Sequence, residues 1–415
     1  MPIETHIHPL IFDGPEFVDR FIGYVDESRA KDSLGFSTMQ LSPQPSIEES
    51  PIDRIVHAML LANDRGVDAS FAVDINYVLK MSRIGNRDYP NYLPLLSGED
   101  RKERRDSKKA AHDLLELLAG RGMLRESGVR LTERDHTPRL RDWASLHIAQ
   151  LLAVKHAKEA HFEPAVGEPV ALITTANGTA SDLSVMNNLA VEVRGDLAHF
   201  VINAMKDGFG HTVGGQRCDR GNVSVLYDFN NRGDPGSHSG ILKEALITID
   251  PRMDKVIKIP TKSKAKEVTH LFYGSQYLPD GRVFKSLQDA GKHADIYIPR
   301  QPVGDHRLDA FPYNFHSAIY GWRLDKAGIY RNEREHSSHL KAIVARYDDG
   351  TARIIVSTDN FLVHLQKFLR NEELAIVIDL DLKRDDDCEY FEAVVNKLGK
   401  MGELDHTGVK SILSI

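Results

Sequence analysis

The chain has 415 residues, 41% of them hydrophobic and 27% charged, and a formal net charge of −7. That length is ample for two packed domains or one duplicated unit, and the composition is that of an ordinary soluble globular protein. The acidic balance weighs against a dedicated duplex-binding protein, whose affinity would rest on Lys and Arg neutralising phosphates.

The first ten residues hold two prolines, two histidines and a glutamate, with no basic-then-apolar layout of a secretory signal. His6 and His8 have the spacing of two metal ligands on one strand face, but no Asp/His cluster accompanies them in sequence. They are expected to be solvent-exposed. Gly35 to Ser42 predicts a strand, Ile52 to Asn63 an amphipathic helix and Val67 to Ile75 a second strand. An insertion of about residues 76–140 follows. Within it Ser107 to Leu118 predicts a helix that either covers the substrate entrance or decorates the surface, and the interleaved charges from Arg101 to Lys109 predict an exposed helical face. Trp143 to Val154 has helical spacing, and Pro164 with Gly167 marks a turn.

The longest apolar stretches, Leu146 to Val154 and Leu374 to Leu380, fall far short of the roughly 20 residues of a membrane-spanning helix. Gly208, Gly210, Gly214, Gly215 and Gly221 predict a mobile loop that gates the site; no Gly-Lys-Ser/Thr follows, so it is no nucleotide P-loop. Cys218 and Cys388 are too few for a disulfide framework, which points to a reducing, cytoplasmic location, and Cys218 reads as a small structural residue. A break near residues 205 to 222 divides the chain into units 1–205 and 206–415. The basic run Arg252, Lys255, Lys258, Lys262, Lys264 and Lys266 reads as a solvated connector, with contact to lipid headgroups or nucleic acid as the alternative. Val268 to Ser275, Gly281 to Ala290 and Ala294 to Pro299 then repeat the strand, helix, strand order of the first unit. Lys341 to Arg346 and Ala352 to Val356 predict a hairpin around Asp348, Asp349 and Gly350 that brings Asn360 back toward His339.

Two sets of residues carry the chemistry. His156, Ala157 and Lys158 precede Thr174, Thr175, Ala176 and Asn177; His339, Leu340 and Lys341 precede Ser357, Thr358, Asp359 and Asn360. From histidine to asparagine the step is 21 residues in both. A single H-x-K is close to noise, but a matched pair points to duplicated half-sites. Histidine acts near neutral pH as nucleophile, base or acid, lysine is a compact charge for a phosphate oxygen, and asparagine adds a neutral donor. Two such sets facing each other surround one phosphodiester without a metal or other cofactor, and none is expected.

The paired sets resemble the phospholipase D superfamily, whose motif is H-x-K followed by Asp and then Gly-Ser-x-Asn. Asn371 and Glu373, followed by an apolar strand, match the family's Asn-x-Glu, and Asn188 with Glu192 is a looser version. Glu163 and Arg346 stand where the family has its aspartate, and Thr174 and Ser357 replace the motif glycine. The sets therefore look like the reduced His-Lys-Asn form of the tyrosyl-DNA phosphodiesterase branch.

The resemblance implies an α/β, duplicated phospholipase D-like fold: two mixed β-sheet units flanked by helices, with one active site at their pseudo-twofold interface. It implies attack by His156, acid/base work by His339, and oxygen binding by Lys158, Lys341, Asn177 and Asn360. Thr175 and Thr358 are expected to donate hydroxyls to the substrate or orient a histidine, and Glu192 and Glu373 to hold the imidazole tautomers. The leading expectation is a phosphodiesterase or phosphatidyltransferase acting on a phospholipid with peripheral membrane contact. A nuclease or DNA-end phosphodiesterase acting on nucleic acid is the runner-up, and a catalytically silent scaffold module is the alternative from another class.

Overall fold

The computed structural model describes residues 7–38, 41–42, 50–74, 113–127, 153–155, 157–206, 216–229, 240–252, 266–275, 279, 281–300, 321–332, 338–361 and 370–413. Ten of their strands precede residue 195: β1 (Leu10–Asp13), β2 (Ser33–Thr38), β3 (Leu41–Ser42), β4 (Asp68–Asp74), β5 (Leu124–Ser127), β6 (Ala153–Lys155), β7 (Glu159–Glu163), β8 (Val170–Thr174), β9 (Gly178–Thr179) and β10 (Leu189–Arg194). Seven follow: β11 (Gln216–Arg220), β12 (Val223–Phe229), β13 (Val268–Gly274), β14 (Asp295–Tyr297), β15 (Ala342–Tyr347), β16 (Thr351–Ser357) and β17 (Arg370–Asp381).

The strands form two large mixed sheets. The first runs β1-β10-β8-β7-β2-β4-β5 and the second β11-β12-β17-β16-β15-β13-β14, with β6 lying parallel against β17. In the first, β10, β8, β7 and β2 are successively antiparallel and β2 pairs parallel with β4. In the second, β17, β16, β15 and β13 repeat that pattern and β13 pairs parallel with β14. Each parallel pair is joined by a crossover containing a helix, Pro51–Asp64 in the first sheet and Gly281–Ala290 in the second. The chain has the duplicated α/β architecture, two mixed sheets flanked by helices.

Side-chain alternation explains the layers. On β8, Ala171 and Ile173 face one core while Val170 and Leu172 face another; on β17, Ile376 and Ile378 face inward while Ala375 and Val377 face outward. The inward residues of both sheets share a single core. The outward residues of the first sheet pack under the helices Gly14–Glu27 and Pro51–Asp64, and those of the second under Gly240–Ile249 and Gly281–Ala290. The helices Gly195–Lys206 and Asp385–Lys400 add Leu197, Ala198, Val201, Phe391, Val394 and Val395 to the core that the two sheets share. Strands buried on both faces read as continuous apolar runs, as Ala375 to Ile378 does.

Local chemistry sets the outer helices. Asp13 and Glu16 form a reciprocal capping box at 2.9 Å in both directions, and Ser50 Oγ accepts the Asp53 N–H before a proline-initiated helix. The helix Asp385–Lys400 opens on three aspartates and closes with Lys397 and Lys400, matching its dipole. Residues 7–16 also anchor the first sheet to elements of the second. Ile7 N–H donates to Asn222 Oδ1 and Tyr390 OH to the Pro9 carbonyl, each at 2.6 Å; His8 Nε2 lies 2.6 Å from Asp387, and Lys397 pairs with Glu16.

Two sequence expectations change here. His8 is not simply solvent-exposed, because it pairs with Asp387 and stacks on Tyr390 at 4.9 Å. Ala153 and Val154, expected in a helix, lie in β6, where pairing with Arg370–Glu372 overrides the local periodicity. The helix within the insertion is described over residues 113–120; His6, residues 76–112 and 128–152, glycines 208, 210, 214 and 215, and Lys255 to Lys264 lie outside the described residues. Arg252 pairs with Asp250, and Lys266 sits 4.1 Å over the Tyr347 ring.

Because Ile173 is fully buried where the two sheets meet, Ile173→Ala is expected to lower unfolding stability by about 2–5 kcal/mol, read as a drop in the urea midpoint.

Candidate active site

The site forms where β7, β8 and the turns after them meet the start of β15. Each His-Lys-Asn set is built by the same backbone device. After β8, Thr174 Oγ1 accepts the Ala176 N–H at 3.1 Å and bends the chain; after β16, Ser357 Oγ accepts the Asp359 N–H at 2.9 Å. Thr174 N–H donates to the Lys158 carbonyl at 2.9 Å and Ser357 N–H to that of Lys341 at 3.0 Å, fixing each turn against its lysine. The motif hydroxyls Thr175 and Thr358 are spent inside the protein. Thr175 donates to Asn188 Oδ1 at 2.9 Å and Thr358 to Glu373 Oε2 at 2.6 Å, while the Leu189 and Leu374 N–H groups donate back to them at 3.0 and 2.9 Å.

This register makes Asn188, not Glu192, the counterpart of Glu373. Glu192 shares strand parity with Ala190 and faces the outer helix layer, where Arg20, Tyr24 and Arg194 donate to its carboxylate at 2.9, 2.8 and 2.9 Å. Burial alone would raise its pKa, and these hydrogen bonds outweigh that and hold it below the usual range. Glu192 therefore buttresses the first sheet and does not hold an imidazole tautomer in this structure.

His339 crosses between the sheets. Its Nδ1 lies 2.6 Å from the Thr175 carbonyl and its Nε2 3.4 Å from Asn177 Nδ2. A carbonyl only accepts, so the first contact places the proton on Nδ1 and leaves Nε2 as the exchanging nitrogen. Its backbone is held by donation to the Asn187 carbonyl at 3.0 Å, and Asn187 in turn donates to Met401 and Glu403. Lys341 donates to the His339 carbonyl at 2.7 Å and lies 2.9 Å from its Nδ1. His156 lies outside the described residues; Lys158, two residues on, is completely buried, as is Lys341.

The two ammonium groups feel one another. Desolvation pushes Lys158 down to about 8, against the pull of Glu373, Asp182, Glu159 and Asp359. Desolvation and then repulsion by Lys158 push Lys341 well below the ordinary lysine range. Asn177 and Asn360 complete the sets, and the Oδ1 atom of each is buried with no hydrogen-bond partner. Two buried cations and the Asn177 Nδ2 donor, 3.4 Å from His339 Nε2, make a cluster chemically suited to an anion.

Sequence reasoning did not single out Asp182. It lies in the short helix Ala180–Ser184, five residues past Asn177, and its Oδ2 accepts the Asn177 N–H at 3.0 Å and lies 4.0 Å from His339 Nδ1. Burial raises its pKa, opposed by the Asn177 amide and the two lysines. Only its spacing after the asparagine would have drawn notice. Cys218, whose thiol is pushed up by burial and nearby aspartates, is not activated as a nucleophile.

No protein-family model and no curated protein sequence matches the chain. Solved structures do. The phosphatidylserine synthase of Haemophilus influenzae Rd KW20 superposes with a TM-score of 0.56 over 94% of this chain and 86% of its own, at 11% identity. Polyphosphate kinase from Porphyromonas gingivalis gives 0.48 over 93% of this chain at 11% identity, and the chain spans half of that protein's length. Yeast tyrosyl-DNA phosphodiesterase gives 0.44 over 84% of this chain and 82% of its own, at 8% identity. These proteins are of the phospholipase D superfamily, and the fold described above is the duplicated fold of that superfamily.

A lysine whose pKa falls on folding binds its proton less readily in the native state, so stability rises with pH between the two values. For Lys158 the window runs from about 8 to 10.5. Lys158→Met is expected to stabilise the empty protein at pH 7 by about 3 kcal/mol, a gain that shrinks toward pH 10.5 in urea titrations. Binding of orthovanadate, a phosphate mimic, is expected to weaken in the wild type as pH rises through about 8 and to be lost in the variant.

Proposed function

We propose that this chain, built on the phospholipase D fold, is a phosphodiesterase or phosphatidyltransferase that cleaves a phospholipid phosphodiester through a phosphohistidine. The observation that carries the reading is the burial of Lys158 and Lys341, from separate halves of the chain, beside His339 and Asn177. Burying two cations together is costly unless an anion joins them, and a phosphodiester brings the charge and the oxygens that match. The likeness to a phosphatidylserine synthase favours a phospholipid as the source of that ester. In this reading residues 1–205 and 206–415 each supply one His-Lys-Asn set.

His156 attacks phosphorus, and the bond to the leaving oxygen breaks as His339 Nε2 gives that oxygen its proton. Water or an alcohol then attacks the phosphohistidine, His339 Nε2 takes the incoming proton, and His156 is released. Lys158, Lys341, Asn177 and Asn360 hold the non-bridging oxygens and offset the charge gathering on them. Thr175 sets the His339 tautomer through its carbonyl, and its hydroxyl, like that of Thr358, shapes the turn. Glu373, in the family's Asn-x-Glu position, serves the His156 side. Among the described residues no helix is long and apolar enough to cross a membrane, so lipid would be reached from the surface.

Headgroup release from phosphatidylcholine or phosphatidylglycerol vesicles in chelator, with ethanol diverting product to phosphatidylethanol, is the expected activity. Degradation of single-stranded DNA with vesicles untouched would assign the nuclease reading instead. His339→Ala is expected to lower turnover about 10²- to 10⁴-fold and to accumulate acid-labile phosphoprotein, whereas His156→Ala accumulates none.

A further inference from the structure

We infer that Asp182 is the positioning residue of His339: its carboxylate, supplied by the opposite half of the chain, holds the Asn177 turn and stabilises the protonated imidazole that gives the leaving oxygen its proton. This rests on the phosphodiester reading above.

Asp182 is held by two backbone bonds and one to its carboxylate. Asp182 N–H donates to Thr179 Oγ1 at 3.1 Å, its carbonyl accepts from Asn188 Nδ2 at 2.5 Å, and its Oδ2 accepts the Asn177 N–H at 3.0 Å. It is nearly inaccessible, at 5% exposure, and faces His339 Nδ1 at 4.0 Å. An opposing charge matters at this ring because two cations stand near it. Lys341 Nζ lies 2.9 Å from Nδ1, and Lys158 adds a second positive charge that Lys341 itself feels. Glu373 and Asp359 balance those lysines from the second half, and Glu159 acts on Lys158. Between His339 and the first half, Asp182 is the carboxylate in ion-pair range among the described residues.

The comparison of the two sets points the same way. Where the second set places a carboxylate on its motif threonine through Glu373, the first places an amide, Asn188, and Asn188 grips the Asp182 carbonyl. Asp182 on the first turn and Glu373 on the second thus reach their places by different routes. When the ester bond breaks, the proton on Nε2 goes to the leaving oxygen and Nδ1–H stays on the Thr175 carbonyl; Asp182 stays ionised throughout and transfers nothing.

An alkoxide leaving group needs that proton, whereas p-nitrophenolate does not. In single turnovers of the full chain, Asp182→Asn is expected to slow choline release from phosphatidylcholine about 10- to 100-fold, while the nitrophenolate burst from bis(p-nitrophenyl) phosphate slows less than about three-fold. Asp182→Glu should restore part of the loss. In NMR of ring-labelled protein, the His339 titration should move to lower pH by about one unit in Asp182→Asn. Equal slowing of both substrates, or an unmoved titration, would overturn the assignment. If the wild type cleaves neither ester, the phosphodiester reading fails, and the titration alone then decides whether Asp182 supports the protonated ring.

Discussion

Two lysine ammonium groups without access to water, Lys158 and Lys341, share one electrostatic neighbourhood, and the rest of the structure is arranged around that cost. Water cannot solvate them, so carboxylates at Asp182, Asp359, Glu159 and Glu373 do part of that work. In the proposed function an incoming anion fills the remaining deficit. A site of this kind is electrostatically loaded before substrate arrives and relaxes on binding, because charges already held in place need no reorganisation.

Symmetry of backbone and asymmetry of side chain coexist here. The turns after β8 and β16 are closed by the same threonine and serine hydroxyl bonds, to within a few tenths of an ångström. Within that repeated frame, residue 188 is an amide and residue 373 a carboxylate. Duplicated geometry brings Lys158 and Lys341 into one electrostatic neighbourhood, while Asn188 and Glu373 give the two halves unlike surroundings. A strictly symmetric site would give both halves the same environment, whereas the proposed double displacement asks for one ring as nucleophile and another that moves a proton.

Much of this was legible in the sequence because it obeys short-range rules. The hairpin of β15 and β16 follows from alternation around Asp348, Asp349 and Gly350, whose glycine has φ +84°, and the paired strand, helix, strand units follow from their periodicities. The turns were legible as small hydroxyl residues before an asparagine. What was hidden depends on partners distant in the chain. Glu192 with Asn188 read as a looser version of the Asn371 and Glu373 pair, but strand parity turned it to the outer helix layer, where Arg20 and Tyr24 wait. Asp182 gains meaning only when His339 arrives from the other sheet, and His8 only when Asp387, 379 residues away, does. β6 pairs three residues to a strand more than 200 positions later, which no local period encodes.

The ties of residues 7–16 to Asn222, Asp387, Tyr390 and Lys397, together with β6 against β17, bear on biosynthesis. The first sheet emerges from the ribosome early, with Ala171, Ile173, Val191 and Val193 on a face that Leu197, Ala198 and Val201 cover in part and that Val356, Ile376 and Val395, translated much later, complete. Until β16, β17 and the helix Asp385–Lys400 are synthesised, that face is only partly covered, and the nascent chain must be kept from sticking to its neighbours. Completion of the shared core therefore waits on residues 351–400, and a chain interrupted before them would hold the earlier part in an aggregation-prone state instead of leaving a working half.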